Sequence, residues 1–185
     1  KNKLADWILR INVLFVKGST NDFLSRELLI SIKKYNLQKK DFLSIIKGME
    51  MDIDENIQFP SKKKLDLYCD RVAVAVGYLS IKIFCLPDKI GKKYAFCLGR
   101  AFQLTNIIRD FSEDLRRKRC YLPIEEIKGK KIKQNINELV KNPELQEVFQ
   151  IILEEANVFF LESDLLKKKN ESKKNISSRN HENFL

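Results

Sequence analysis

The stretch AFQLTNIIRDFSEDLRRKRCYLP, residues 101–123, carries a polar stripe inside an otherwise apolar helix pattern. Gln103, Asn106, Asp110 and Asp114 lie three, four and four positions apart, so on an α-helix they share one face. Leu104, Ile107, Ile108 and Phe111 fall opposite and would anchor that helix in a core. Two carboxylates and an amide in line are oxygen ligands suited to a hard cation. Mg²⁺ in particular takes a few carboxylates together with water and phosphate oxygens. Like charges at i,i+4 repel when nothing sits between them, and a bound divalent ion turns that cost into a binding site. A solvated acidic face of Asp110, Glu113 and Asp114, paired with Arg109, Arg116 and Arg117, is the competing reading. Exposed pairs of that kind contribute little, and Gln103 and Asn106 favour a magnesium–phosphate site.

The flanking sequence reads as helices. Leu4, Ile8, Ile11, Leu14 and Phe15 recur at helical spacing up to Lys17-Gly18-Ser19, and Asn21 or Asp22 caps a second helix with Phe23, Leu24, Leu28, Ile32 and Tyr35 on its apolar face. Asp41 opens a third through Phe42, Ile45, Ile46 and Met49, reaching as far as Asp52. DIDENIQFPS then reads as a loop. Ser61 caps a long helix from about Lys62 to Phe84, apolar almost all round, with a ladder of Leu65, Val72, Val76, Leu79 and Ile83. A second long helix is predicted from about Asp88 to Leu115, and a short one after Pro123. Lys130 to Gln134 read as loop, and a last helix follows Pro143. From Lys167 the chain is Lys-, Asn- and Ser-rich with almost no apolar residue. Residues 167–185 are therefore expected to form a disordered basic tail behind a helical domain of 1–166.

Composition agrees with an all-α chain of six to eight helices. Of 185 residues, 6 are Gly and 4 are Pro, too few for a turn-rich β-sandwich. Charges interrupt the apolar runs within the ~18 residues a membrane span needs. Cys69, Cys85, Cys97 and Cys120 form no C-x-x-C pair, and the single His181 builds no metal site. Reduced thiols and an opening KNKLADW without a secretory signal suit a cytoplasmic protein. The formal charge is +10, and two segments supply it: 115–133 with a net +6 and 167–185 with a net +4. A nucleic-acid surface spreads its basic residues along a face with aromatics between them, so no nucleic-acid partner is expected.

Two stretches resemble signatures of one family. QLTNIIRDFSEDLRRKRCYLP is similar to the second aspartate-rich signature of the squalene and phytoene synthases, Q-x-x-N-I-x-R-D-x-x-E-D followed by R-x-Y-x-P. YCDRVAVAVG resembles the Y-C-x-x-V-A-x-x-V-G helix of the same family. With DFLSIIKGMEMDID upstream, the likeness is greatest to the presqualene diphosphate synthase branch of hopanoid-type squalene synthesis, and it runs from about Asp6 to Leu166. The resemblance implies an isoprenoid-synthase helical bundle and head-to-head condensation of two farnesyl diphosphates to presqualene diphosphate. It implies Mg²⁺ on Asn106, Asp110 and Asp114, with Gln103 one turn deeper and Arg109 contacting diphosphate or bracing the aspartates. Tyr68 would reach the reacting centre, Asp52 would line the site, Arg119 and Tyr121 would close over phosphate, and Val72 and Val76 would wall a prenyl channel. Each has a structural alternative: a core tyrosine, a helix-ending aspartate, a surface arginine, core valines.

The sequence departs from the family pattern in three places. No first D-x-x-x-D motif precedes Asp52, Lys47 stands where the family is often acidic, and the tail replaces the helices expected after FFLESD. The pattern implies roughly a hundred further residues before Lys1, and a bundle that is partial as given. With one aspartate motif, this chain alone is expected to have little or no activity. The alternative from another class is a non-catalytic helical module whose basic clusters bind a partner enzyme or an anionic membrane surface.

Overall fold

Pro60 and Ser61 set the boundary on which the site depends. The Ser61 side chain accepts the Lys64 backbone N–H at 3.2 Å, an N-cap that starts the central helix at Lys62. The computed structural model describes residues 2–54, 57–128, 130 and 139–182. Among them the regular structure is helical: α1 (Asn2–Lys17), α2 (Phe23–Tyr35), α3 (Lys39–Asp54), α4 (Lys62–Cys69), α5 (Ala75–Ile83), α6 (Asp88–Arg109), α7 (Phe111–Arg116), α8 (Ile124–Ile127) and α9 (Leu145–Glu182). No helix among the described residues is long and apolar enough to cross a membrane. A single parallel bridge joins Gln58 to Cys120.

The central rod is α4 and α5 joined by a π turn, Asp70–Val74, with the Ala75 N–H reaching the Asp70 carbonyl. Three glycines let its neighbours approach closely. A Cβ on Gly99 of α6 would lie 2.9 Å from the Val74 backbone, one on Gly48 of α3 would lie 2.5 Å from Val72 Cγ1, and one on Gly77 would lie 3.0 Å from Ala95 Cβ. The most extensive packing is α6 against α9. Leu104 and Ile107 share a buried cluster there with Val148, Ile152 and Ala156, and the edge-on pairs Phe96–Phe159, Phe102–Phe160 and Phe111–Phe149 run along the seam. A smaller cluster of Leu14, Leu29, Ile32 and Leu37 holds α1 to α2.

Several expectations need correction. Asp22 is the cap of α2, accepting the Ser25 N–H at 2.9 Å, yet Phe23 and Leu24 point outward while Ser25, Leu29 and Ile32 are buried. The first three residues of DIDENIQFPS belong to α3. The helix predicted over 88–115 breaks at Asp110, whose φ of −94° and ψ of 5° end α6 and begin α7. Val76 and Ile83 are over two-fifths exposed, and Val76 faces an open cavity. The basic segment beyond Lys167 continues α9 to Glu182. No Gly or Pro interrupts 145–182, and Lys and Glu are good helix formers, so the backbone has no stop signal where the apolar residues run out. The loop predicted at 130–134 lies mostly outside the described residues. Cys69, Cys97 and Cys120 are buried and free, and burial pushes the Cys69 thiol up to about 12, which leaves it unreactive at neutral pH.

The glycine contacts give a direct test. Gly99→Ala should lower the urea midpoint by the equivalent of about 1–3 kcal/mol, since the atoms its methyl meets are Val74 backbone and cannot swing aside.

Candidate active site

Asp52 is the hub of a polar cluster. Its two carboxylate oxygens accept the Tyr121 hydroxyl at 2.6 Å and the Tyr68 hydroxyl at 3.1 Å. The two rings stack with centroids 4.9 Å apart and planes 20° from parallel. Burial pushes both phenols above their ordinary range, and the Asp52 carboxylate adds to the effect. Both therefore stay protonated donors at any physiological pH. Arg119 Nη2 donates to the Asp52 backbone carbonyl at 3.4 Å.

Local backbone chemistry delivers these groups from remote positions. α7 ends in a Schellman turn: Arg119 N–H bonds the Asp114 carbonyl at 2.8 Å and Lys118 N–H the Leu115 carbonyl at 2.9 Å, with Lys118 in the left-handed region at φ 60°. The chain leaves that turn extended. Cys120 N–H bonds the Ile57 carbonyl and Phe59 N–H the Cys120 carbonyl, both at 2.9 Å. Gln58 Nε2 adds a bond to the Lys118 carbonyl at 2.8 Å. This clasp sets Tyr121 beside the end of α3.

The aspartate motif lies next to the cluster. Arg109 forks onto Asp110 with two 2.7 Å bonds, and that pairing holds the Asp110 carboxyl below its usual range. Asp114 goes the other way: burial raises its pKa, the neighbouring Asp110 charge adds to the rise, and Arg119 opposes it. The break at Asp110 keeps the two in helical register, since the Asp114 N–H bonds the Asp110 carbonyl at 2.9 Å. Glu113 turns away to Arg117 at 2.5 Å. Among the described residues no three His, Cys, Asp or Glu side chains converge on one point. The carboxylate donors present are two, and a partly buried Asp114 beside Asp110 is a charge arrangement that a hard cation would relieve.

One and two turns before Asp110, Asn106 and Gln103 face a cavity of about 400 Å³ whose walls include Val72, Val76, Leu98 and Phe102. The predicted channel valines share this space with Gln103 and Asn106, while Asp110 and Asp114 are outside its lining. Asp52, Tyr68, Tyr121 and Arg119 form their own cluster, and Arg109 is committed to Asp110.

Sequence reasoning passed over the ion network behind this cavity. Arg100, 8% exposed, forks onto Asp70 at 2.8 and 2.9 Å and reaches Asp66 at 2.6 Å. Lys62 then links Asp66 at 2.8 Å to Glu155 at 2.6 Å. The available signals were Lys62, Asp66 and Asp70 at i,i+4 spacing and a lone arginine in the apolar run around residue 100. The network pins the π turn to α6 and α9.

With this geometry, comparison with known proteins is decisive at the level of family. The squalene/phytoene synthase profile matches residues 1–175, and the chain belongs to that family. Among named relatives it is similar to the presqualene diphosphate synthase of Zymomonas mobilis, 42% identical over 89% of this chain and 56% of that protein. It is 54% identical to that of Rhodopseudomonas palustris over 51% of this chain and 34% of the relative. The chain thus spans about half the length, or less, of these relatives. Its fold matches the crystal structure of squalene synthase HpnC from Alicyclobacillus acidocaldarius with a TM-score of 0.78 at 22% identity, over 89% of this chain and 62% of that one.

Two substitutions test the electrostatics. Tyr121→Phe removes a donor from Asp52 and should cost about 1–3 kcal/mol in urea denaturation. Asp114 has a folded pKa above its ordinary 3.8, so the folded state binds the proton more tightly and its ionisation weakens the fold as pH rises. Asp114→Asn should therefore unfold at higher urea than the parent at pH 7 without divalent ions, with the gap closing as pH falls toward 3.8.

Proposed function

We propose that this chain carries the second-aspartate half of a prenyltransferase site that condenses two farnesyl diphosphates head-to-head to presqualene diphosphate. The observation that carries the reading is an apolar cavity next to a carboxylate pair: Val72, Val76, Gln103 and Asn106 line the space, and Asp110 and Asp114 follow one and two turns beyond Asn106. The named relatives support the substrate class.

Asn106, Asp110 and Asp114 would hold Mg²⁺, which when bound stabilises the charge that develops on diphosphate as an allylic C–O bond breaks. Arg109 neutralises part of Asp110 and keeps it ionised at low pH. The apolar walls would shield an allylic carbocation, which water would quench, once a prenyl chain fills the cavity. Tyr68 and Tyr121 hold the Asp52 side chain in place with two O–H donors beside the aspartate motif. The 185 residues contain one aspartate-rich motif, so the chain alone seats diphosphate and turns over little or no substrate.

Calorimetric titration with a farnesyl thiodiphosphate checks this. Binding should require Mg²⁺ and weaken at least tenfold in Asp110→Asn/Asp114→Asn. Equal binding without the metal, or by the double variant, would remove the proposal.

A further inference from the structure

Apart from the cavity lined by Val72, Val76, Gln103 and Asn106, α6 and α9 border a larger space of about 630 Å³. Lys92 and Lys93, from the second turn of α6, and Lys169 of α9 bring three ammonium groups to it. Among the described residues none of the three is in an ion pair, although other lysines of the chain find carboxylates. The remaining wall is mostly apolar: Tyr78, Phe96, Leu165 and Leu166. Phe96 is fixed edge-on to Phe159 at 5.9 Å, with the Arg100 guanidinium over its ring. Glu162 is the one acid present, and its carboxylate accepts the Cys97 thiol at 3.5 Å. Leu165 is 65% exposed, so the apolar wall is open to a ligand from outside.

Unpaired cations around an apolar recess select a molecule with a negative head and a hydrocarbon tail. A bare anion would gain only weak, screened attraction, and a neutral hydrocarbon would leave the ammonium groups unused. We propose that this cavity binds an anionic amphiphile, its phosphate or carboxylate head on Lys92, Lys93 and Lys169 and its chain along Phe96, Leu165 and Leu166. The ligand comes either from an anionic bilayer or from a soluble single-chain phosphate. This site is independent of the aspartate motif: it holds its anion with lysines, so it needs no divalent ion.

Dodecyl phosphate, below its micelle concentration and in EDTA, is the probe for calorimetry on the full chain. It should bind, butyl phosphate and inorganic phosphate should not, and Lys92→Ala/Lys93→Ala/Lys169→Ala should weaken it at least tenfold. Lys3→Ala/Lys63→Ala/Lys141→Ala removes the same charge elsewhere and should leave the affinity within twofold. Asp110→Asn/Asp114→Asn should also leave it unchanged, which separates this test from that of the prenyltransferase reading. Co-sedimentation with vesicles of equal parts phosphatidylglycerol and phosphatidylcholine, lost in the first triple variant, identifies a bilayer lipid as the source. Dodecyl phosphate binding without co-sedimentation identifies a soluble ligand. Absence of dodecyl phosphate binding, equal loss in both triple variants, or loss in the aspartate variant would overturn the proposal.

Discussion

Close approach of three helix backbones is the constraint on which this molecule is built. Gly99 and Gly48 allow α6 and α3 to press against the π turn of the central rod, where any Cβ would collide with Val74 or Val72. Helix axes that near one another leave little room for large side chains at the crossing, so the space opens above and below it. Two cavities border α5 and α6 near that crossing, one lined by Val72 and Val76 and the lysine-rimmed one by Tyr78. The Arg100 fork on Asp70 and Asp66 fastens the same crossing from the side. Packing and ion pairing here serve one end, a rod whose two faces can be lined independently.

Much of this was legible in sequence because it is local. Helical spacing placed Gln103, Asn106, Asp110 and Asp114 on one line, Ser61 after Pro60 announced a cap, and Val72 and Val76 shared a face. The illegible parts depend on distance along the chain or on small backbone choices. The i+5 bond at Asp70–Val74 leaves no residue signature, since every residue in it also suits an α-helix. The break at Asp110 is one residue at φ −94° and ψ 5°, a small departure from helical geometry. Glu155 lies 93 positions from its partner Lys62. At the tail a lack of apolar residues argues for disorder, while unbroken helix formers continue α9 to Glu182.

The electrostatics of the two aspartates show how a site can be prepared before any ligand arrives. Asp110 is stabilised as an anion by Arg109, and Asp114 is penalised as an anion by burial beside it. The pair is therefore half satisfied, and the unsatisfied half faces the neighbourhood of Asp52, Tyr68 and Tyr121. Those tyrosines spend their protons on Asp52, so they do not quench Asp114.

The clasp between residues 57–59 and 118–120 also bears on how the molecule forms. Its bridge joins positions 62 apart, while the helices it connects are stitched by contacts four apart. Loop-closure entropy rises with the length enclosed, and non-local pairings slow folding relative to helical ones. The clasp therefore closes after the local helices it joins. Asp52 and Tyr121 meet through that closure, so the Tyr68–Tyr121 stack reports the long-range clasp, which helix content alone does not.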